Sequence, residues 1–301
     1  MDFRGKSQPR VLGFFWVAIS AAAFGAMPIF GRYAYASGIT PISLLFFRFL
    51  LAAVCMVILL KFQKEQLPRG RNLLGLFLMG VFGYAGQALC YFTALTLISV
   101  SLVAILLYLY PIMVMILSAM FLKEKITLGK LLALTLALSG TVMVIGLQIG
   151  GSEIGIAWAL AGSAIYSMYI VFGARLMKAA QPFASATVVM TGAMISYAVV
   201  AITRGVAPPQ EALGWLWILC ITLLCTVLAI SSFFYGLKII GPVDASLIST
   251  FEPVTTVILA FLFLDEKIGG RQLVGMLFIL GAAALLALQP ATLNKRISSN
   301  S

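Results

Sequence analysis

Residues 111–126 read P-I-M-V-M-I-L-S-A-M-F-L-K-E-K-I, and residues 253–268 read P-V-T-T-V-I-L-A-F-L-F-L-D-E-K-I. Eight of the sixteen positions are identical. Two apolar runs match often by chance, so the leading proline and the closing Glu-Lys-Ile carry the weight. Carried outward at the same offset of 142 residues, the alignment holds without a gap. Gly13 meets Gly155, Trp16 meets Trp158, Phe30 meets Phe172, Gly31 meets Gly173, Phe92 meets Phe234 and Leu95 meets Leu237. The chain is an internal duplication.

Each copy holds five apolar runs of about the 20 residues that a helix needs to cross a bilayer. They fall at 12–35, 42–62, 73–96, 100–122 and 128–147, then at 154–177, 183–203, 213–237, 243–264 and 271–289. The pattern predicts an all-α integral membrane protein with ten transmembrane helices around a central cavity. Residues 11–147 form one five-helix repeat and 154–289 the other, flanked by an N-terminal segment at 1–10 and a polar tail at 290–301. Because five is odd, the second repeat is inserted upside down. Inverted repeats place a binding site near the midplane, at their interface.

Composition agrees. The 301 residues are 62% hydrophobic and 10% charged, with a mean hydropathy of +1.09. A soluble domain is about 45–50% apolar and about 25% charged. The net charge of +11 does not indicate nucleic acid, because the basic residues sit in short clusters between apolar runs. Fifteen fall on the side of the N-terminus, four (Arg32, Arg204, Lys267, Arg271) on the other, and Arg48 inside a run. By the positive-inside rule both termini lie in the cytoplasm, as expected for a multi-pass protein of a bacterial inner membrane. There is no histidine, and Cys55, Cys90, Cys220 and Cys225 all lie within apolar runs. No metal, no cofactor and no catalytic set is therefore expected, and no nucleotide-binding motif is present.

Glu252 is the sharpest single feature, about nine residues into the ninth run. A charge at the bilayer centre costs about 2.5–3.5 kcal/mol on insertion scales, so it needs a partner, water or a proton. Pro253 deprives the Ser249 carbonyl of its helical donor. Glu252 is then a solute-binding or proton-carrying carboxylate, or a protonated group bridging helices. Its repeat counterpart is Tyr110, before Pro111: a cavity phenol, or a side chain packed at a kink. Pro28 marks a third kink, with Gly25 and Gly31 allowing the first helix to bend.

Arg48 has three readings: a partner for Glu252, a ligand for a solute carboxylate, or a structural residue that snorkels to the interface from the second run. The structural reading is the expected one. Phe24 and Met27 align with Tyr166 and Tyr169 at the repeat offset, and Tyr84, Gln87 and Tyr91 share one face of the third helix. These residues line a cavity suited to an apolar or aromatic solute with a few polar groups, or else they pack between helices. Glu124 and Glu266 are expected at the membrane faces, capping and pairing. Gly80, Gly83, Gly86, Gly140 and Gly281 are expected where helices approach closely.

The five-plus-five plan resembles the drug/metabolite transporter superfamily, in particular its EamA-type members. So do the second-helix pattern Leu44-Leu45-Phe46-Phe47-Arg48-Phe49-Leu50-Leu51-Ala52 and the Pro-then-Glu helices (Pro111 with Glu124; Pro253 with Glu266). Small-residue last helices (Ser139-Gly140; Gly281-Ala282) complete the likeness. The resemblance implies a ten-helix secondary transporter for a small metabolite, working by alternating access, with export the expected direction. With Arg48 the sole deep cation, phosphorylated substrates are not expected; a neutral, zwitterionic or cationic solute is, such as an amino acid or an amphipathic drug-like compound. The partners are that solute, the lipid bilayer and, through Glu252, protons. An uncoupled facilitator, or a receptor or scaffold, is the alternative.

Overall fold

The computed structural model describes residues 8–63, 65–146, 152–177 and 180–288. The expected segment 1–10 is described only from residue 8, and the expected tail 290–301 lies outside the described residues. Those residues form helices and no β-strand. Three helices of the first half are α1 (Arg10–Ala36), α2 (Pro41–Gln63) and α3 (Gly70–Leu95). Next come α4, in two pieces (Val100–Leu107 and Tyr110–Phe121), and α5 (Leu128–Ile145). The second half begins with α6 (Glu153–Leu176) and α7 (Pro182–Arg204). It continues with α8 (212–240), α9 in two pieces (242–249 and Glu252–Leu264) and α10 (Gly270–Leu288).

Nine of these helices are individually long and apolar enough to cross a bilayer among the described residues, one of them 38 residues long (Ala212–Ser249). At about 1.5 Å per residue that helix would be nearly twice the thickness of the hydrocarbon core. It is two spans. Gly241 turns the chain at φ 81°, ψ 172°, which ends α8 and starts α9 at Pro242. The total is the expected ten.

The fourth helix of each half was expected to kink at its proline, and each is broken there into two pieces. The breaks are related by the 142-residue offset: Val100–Leu107 maps onto 242–249, and Tyr110 onto Glu252. Proline supplies the cause in both halves, because Pro111 and Pro253 lack the N–H that the carbonyl four residues earlier needs. The other ends of these helices are related too. Lys123 and Asp265 both adopt the left-handed conformation, at φ 55° and 54°. The Glu124 N–H then reaches the Ser118 carbonyl at 3.2 Å, and the Glu266 N–H the Ala260 carbonyl at 3.4 Å. This backbone closure ties off each helix just where the repeated Glu-Lys-Ile begins.

The packing follows the pseudo-symmetry. α1 packs along α8 and, equivalently, α6 along α3; α2 pairs with α7 and α5 with α10. α4 rests on α6, and α9 on α1. Lipid tails provide no hydrophobic drive between helices, so close contact must come from shape. At the α5–α10 crossing a Cβ on Gly140 would lie 2.5 Å from the Gly275 carbonyl oxygen, and one on Gly275 would lie 2.7 Å from that of Gly140. Gly281 and Gly86 have open space where a Cβ would go, so they do not serve the close approach expected of them. Gly140→Leu should therefore lose about 1–3 kcal/mol of stability through overpacking, while Gly281→Ala stays within about 0.5 kcal/mol of the parent. Unfolding in detergent micelles measures both.

Candidate functional site

The two helix breaks meet in the middle of the bundle. A break inside a membrane frees peptide groups that lipid cannot satisfy. In the first half, α6 supplies the missing donors. Ser163 Oγ donates to the Leu107 carbonyl, the one freed by Pro111, at 3.1 Å; Ser167 Oγ, whose shorter bond is to the Ser163 carbonyl at 2.7 Å, also lies 3.2 Å from the Tyr110 carbonyl. The offset carries these serines to Ala21 and Gly25, which have no hydroxyl to give. Gly25 instead lets α1 press against the second break: a Cβ there would lie 2.6 Å from the Glu252 carbonyl oxygen. Thr256 Oγ1 bridges the two, 2.8 Å from the Gly25 carbonyl and 3.2 Å from that of Glu252.

Glu252 opens the second piece of α9 as its one first-turn acid, where the helix dipole favours a negative charge. It is half-buried, and among the described residues no cation forms an ion pair with it. Its carboxylate lies within hydrogen-bonding reach of the Tyr108 hydroxyl. Tyr84, Tyr91, Tyr110 and Tyr166 also lie within electrostatic reach of its charge. Tyr110 pins the breaks together, its hydroxyl donating to the Ser246 carbonyl of α9 at 3.1 Å. Its ring meets Tyr166 edge-on at 4.8 Å, and Tyr166 stacks on Tyr169 at 6.0 Å. Tyr169 continues to Tyr84 at 5.8 Å, with its own hydroxyl buried and unpartnered.

The structure thus gathers Glu252, Tyr110, Tyr84, Tyr166 and Tyr169. Tyr91 stays within reach of Glu252 while packing against Ala94 and Ala159. Phe24 packs on the main core beside this group. Gln87 is half-buried one turn before Tyr91. Met27 goes elsewhere, into a separate cluster with Ile218 and Ile221 near the far end of α1. Pro28 is exposed. Tyr108 escaped the sequence reading because its counterpart is Thr250, so the repeat does not flag it; its one signal is its place two residues before the Tyr110-Pro111 pair.

Arg48 does not snorkel. It is 6% exposed, and its bonds run to α8 and α3. Nε donates to Thr226 Oγ1 at 2.7 Å, and Nη2 to the Tyr84 hydroxyl at 3.2 Å and the Cys225 carbonyl at 3.4 Å. Thr226 and Tyr84 are themselves related by the offset. Both lie in a π-helical turn, Leu223–Leu228 in α8 and Met79–Tyr84 in α3. Such a turn displaces the regular ladder and exposes backbone groups; Thr226 closes part of the gap by donating to the Ile221 carbonyl at 3.0 Å. Arg48 fills the rest, linking two symmetry-related positions through Tyr84 to the Glu252 cluster.

Residues 11–146 and 153–288 each match the EamA-like transporter family. The chain belongs to that family. Its similarity to other members is spread over most of its length. It is 29% identical to the uncharacterized transporter YyaM of Bacillus subtilis over 74% of this chain and 76% of that protein. It is 25% identical to the uncharacterized transporter YcbK of the same organism over 90% and 91%. A protein of known crystal structure, 19% identical, superposes with a TM-score of 0.77 over 93% of this chain and 96% of its own, which shows the fold. This EamA-like protein is a multi-pass membrane transporter.

Replacing Arg48 by lysine keeps the charge but removes the planar fork. Arg48→Lys should lose about 1–3 kcal/mol, the penalty for leaving buried groups without a partner. Thermal unfolding in detergent tests this. A variant as stable as the parent but unable to bind solute would place Arg48 on the solute instead.

Proposed function

We propose that this EamA-like protein is a secondary transporter that moves a small neutral, zwitterionic or cationic solute across the membrane by alternating access. Glu252 is its binding and proton-coupling carboxylate. The observation that carries this reading is a carboxylate at the break of α9 that forms no ion pair among the described residues and has the Tyr108 hydroxyl and further phenols near it. An acid at that depth is functional by default. Discontinuous helices at a repeat interface are where secondary transporters hold their solutes.

Glu252 and the tyrosine faces together favour an ammonium or another soft cation, by charge and by cation–π attraction of about 0.5–2 kcal/mol per ring. Arg48, one phenol away through Tyr84, gives a zwitterion's carboxylate a second pole. Apolar neighbours such as Phe24 suit an amino-acid-like or amphipathic body. The skew of basic residues supports termini in the cytoplasm of a bacterial inner membrane, and export is the direction proposed.

The test is a flux panel in proteoliposomes, with and without an imposed pH gradient. Uptake of amino acids or amphipathic amines above empty liposomes is expected, accelerated by the gradient. Glu252→Gln should abolish the response to the gradient and weaken, at zero gradient, the exchange of a cationic solute more than that of a neutral one. If the variant keeps that response, Glu252 is not the proton carrier; if the parent itself shows none, the protein is a facilitator. Tyr108→Phe should raise KM about tenfold, as expected for one lost hydrogen bond to a charged group, with little change in maximal flux. Saturable exchange of a sugar phosphate would overturn the assigned substrate class.

A further inference from the structure

Four charged side chains from both halves meet at the end of the bundle where α1 begins, away from the tyrosine cluster. Asp244, in the first turn of α9, is 4% exposed. Arg10 Nη2 lies 3.0 Å from its Oδ2, and Lys130 Nζ 2.7 Å from its Oδ1. Lys130 is shared with Glu124, whose Oε1 is also 2.7 Å away. Arg10 further donates to the Leu286 carbonyl of α10 at 3.4 Å and lies over the Phe14 ring. The cluster ties α1, α5 and the α4–α5 turn of the first half to α9 and α10 of the second. Its surroundings are dry enough that burial pushes the Glu124 carboxyl above its ordinary value, although the Lys130 ammonium pulls it down.

The duplication supplies a comparison. The offset carries Arg10 to Ser152 and Lys130 to Gln272, and it carries Asp244 back to Leu102; Glu124 alone keeps its charge, as Glu266. At that opposite end Glu266 pairs with Arg32 at 3.3 Å, the two side chains 58% and 63% exposed. An exposed pair contributes little, whereas a buried cluster resists separation because each charge would be stranded in a poor dielectric. The two ends of the bundle therefore carry ionic contacts of very different strength.

We propose that the Arg10–Asp244–Lys130–Glu124 cluster is the closed gate on the amino-terminal side of the solute site, and that its separation is the step that opens the site to that side. This rests on the alternating-access reading above. Asp244 precedes Glu252 by about two helical turns on α9, with Ser249 between them. In the proposed opening step α9 moves away from α5 and α1, which pulls Asp244 off both cations. None of the four residues touches the solute site, so they set its access and not its affinity.

The experiment uses the full-length protein with Cys55, Cys90, Cys220 and Cys225 replaced and Ser249→Cys as the reporter. A membrane-impermeant thiol reagent is applied to vesicles of each orientation. From the amino-terminal side the parent should label slowly, and Asp244→Asn and Glu124→Gln each at least tenfold faster, with labelling from the opposite side reduced in step. Unchanged labelling in Glu124→Gln, in protein as monodisperse and thermally stable as the parent, overturns the proposal. Should Asp244→Asn fail to fold, Glu124→Gln still decides, because it sits at the edge of the cluster. Lower thermal stability with unchanged labelling makes the cluster a static anchor and also overturns it. The readout needs no solute: a labelling change without flux of any solute would fault the transport reading and leave the gate standing.

Discussion

A helix that breaks inside a bilayer must find partners for the peptide groups it releases. That constraint governs the centre of this protein. α4 and α9 both break, at prolines related by the duplication, but the halves answer the same problem differently. The first break is closed by Ser163 and Ser167 and becomes scaffold. The second faces Ala21 and Gly25, which offer no donor, and carries a carboxylate where the first has a phenol. The chemistry of the site grows from that divergence. The first break takes its hydroxyls from α6, and the second takes one from Thr256 of its own helix, which donates to the Gly25 and Glu252 carbonyls.

The deep charges follow the same logic. Each ionic group taken from water needs compensation. Arg48 finds it in a hydroxyl, a phenol and a carbonyl exposed by a π-turn. Asp244 and Lys130 find it in each other and in Arg10 and Glu124. Among the described residues Glu252 has no cation, only phenols around it. Two of these arrangements are self-sufficient; the third, on the function proposed above, is completed by a proton or a positively charged solute.

The placement of the charges also separates the ends of the bundle from its middle. On the function proposed above, the residues that meet the solute stand on the two breaks and on the faces of α3 and α6 turned toward them. The ion-paired residues at one end, Arg10, Lys130 and Asp244, stand on the first turns of α1, α5 and α9, with Glu124 in the α4–α5 turn. Alternating access asks for this division, because binding and gating must respond to the same movement without sharing atoms.

Much of this was legible from the residues alone. Hydropathy, the skew of basic residues and the 142-residue offset determined ten helices, the inversion and the neighbourhood of Glu252-Pro253 and Tyr110-Pro111. Those signals are local or periodic, and a bilayer enforces them along the whole chain. The tertiary structure decided the rest. It decided that the kinks expected at Pro111 and Pro253 are full breaks, that Arg48 turns inward to α8, that Met27 leaves the cluster and that Tyr108 joins Glu252. It also brought Asp244 to Arg10, 234 positions away. No sequence pattern encodes these pairings, because which side chain satisfies a freed carbonyl or a buried charge depends on which helices touch, and that is settled only when both halves pack together.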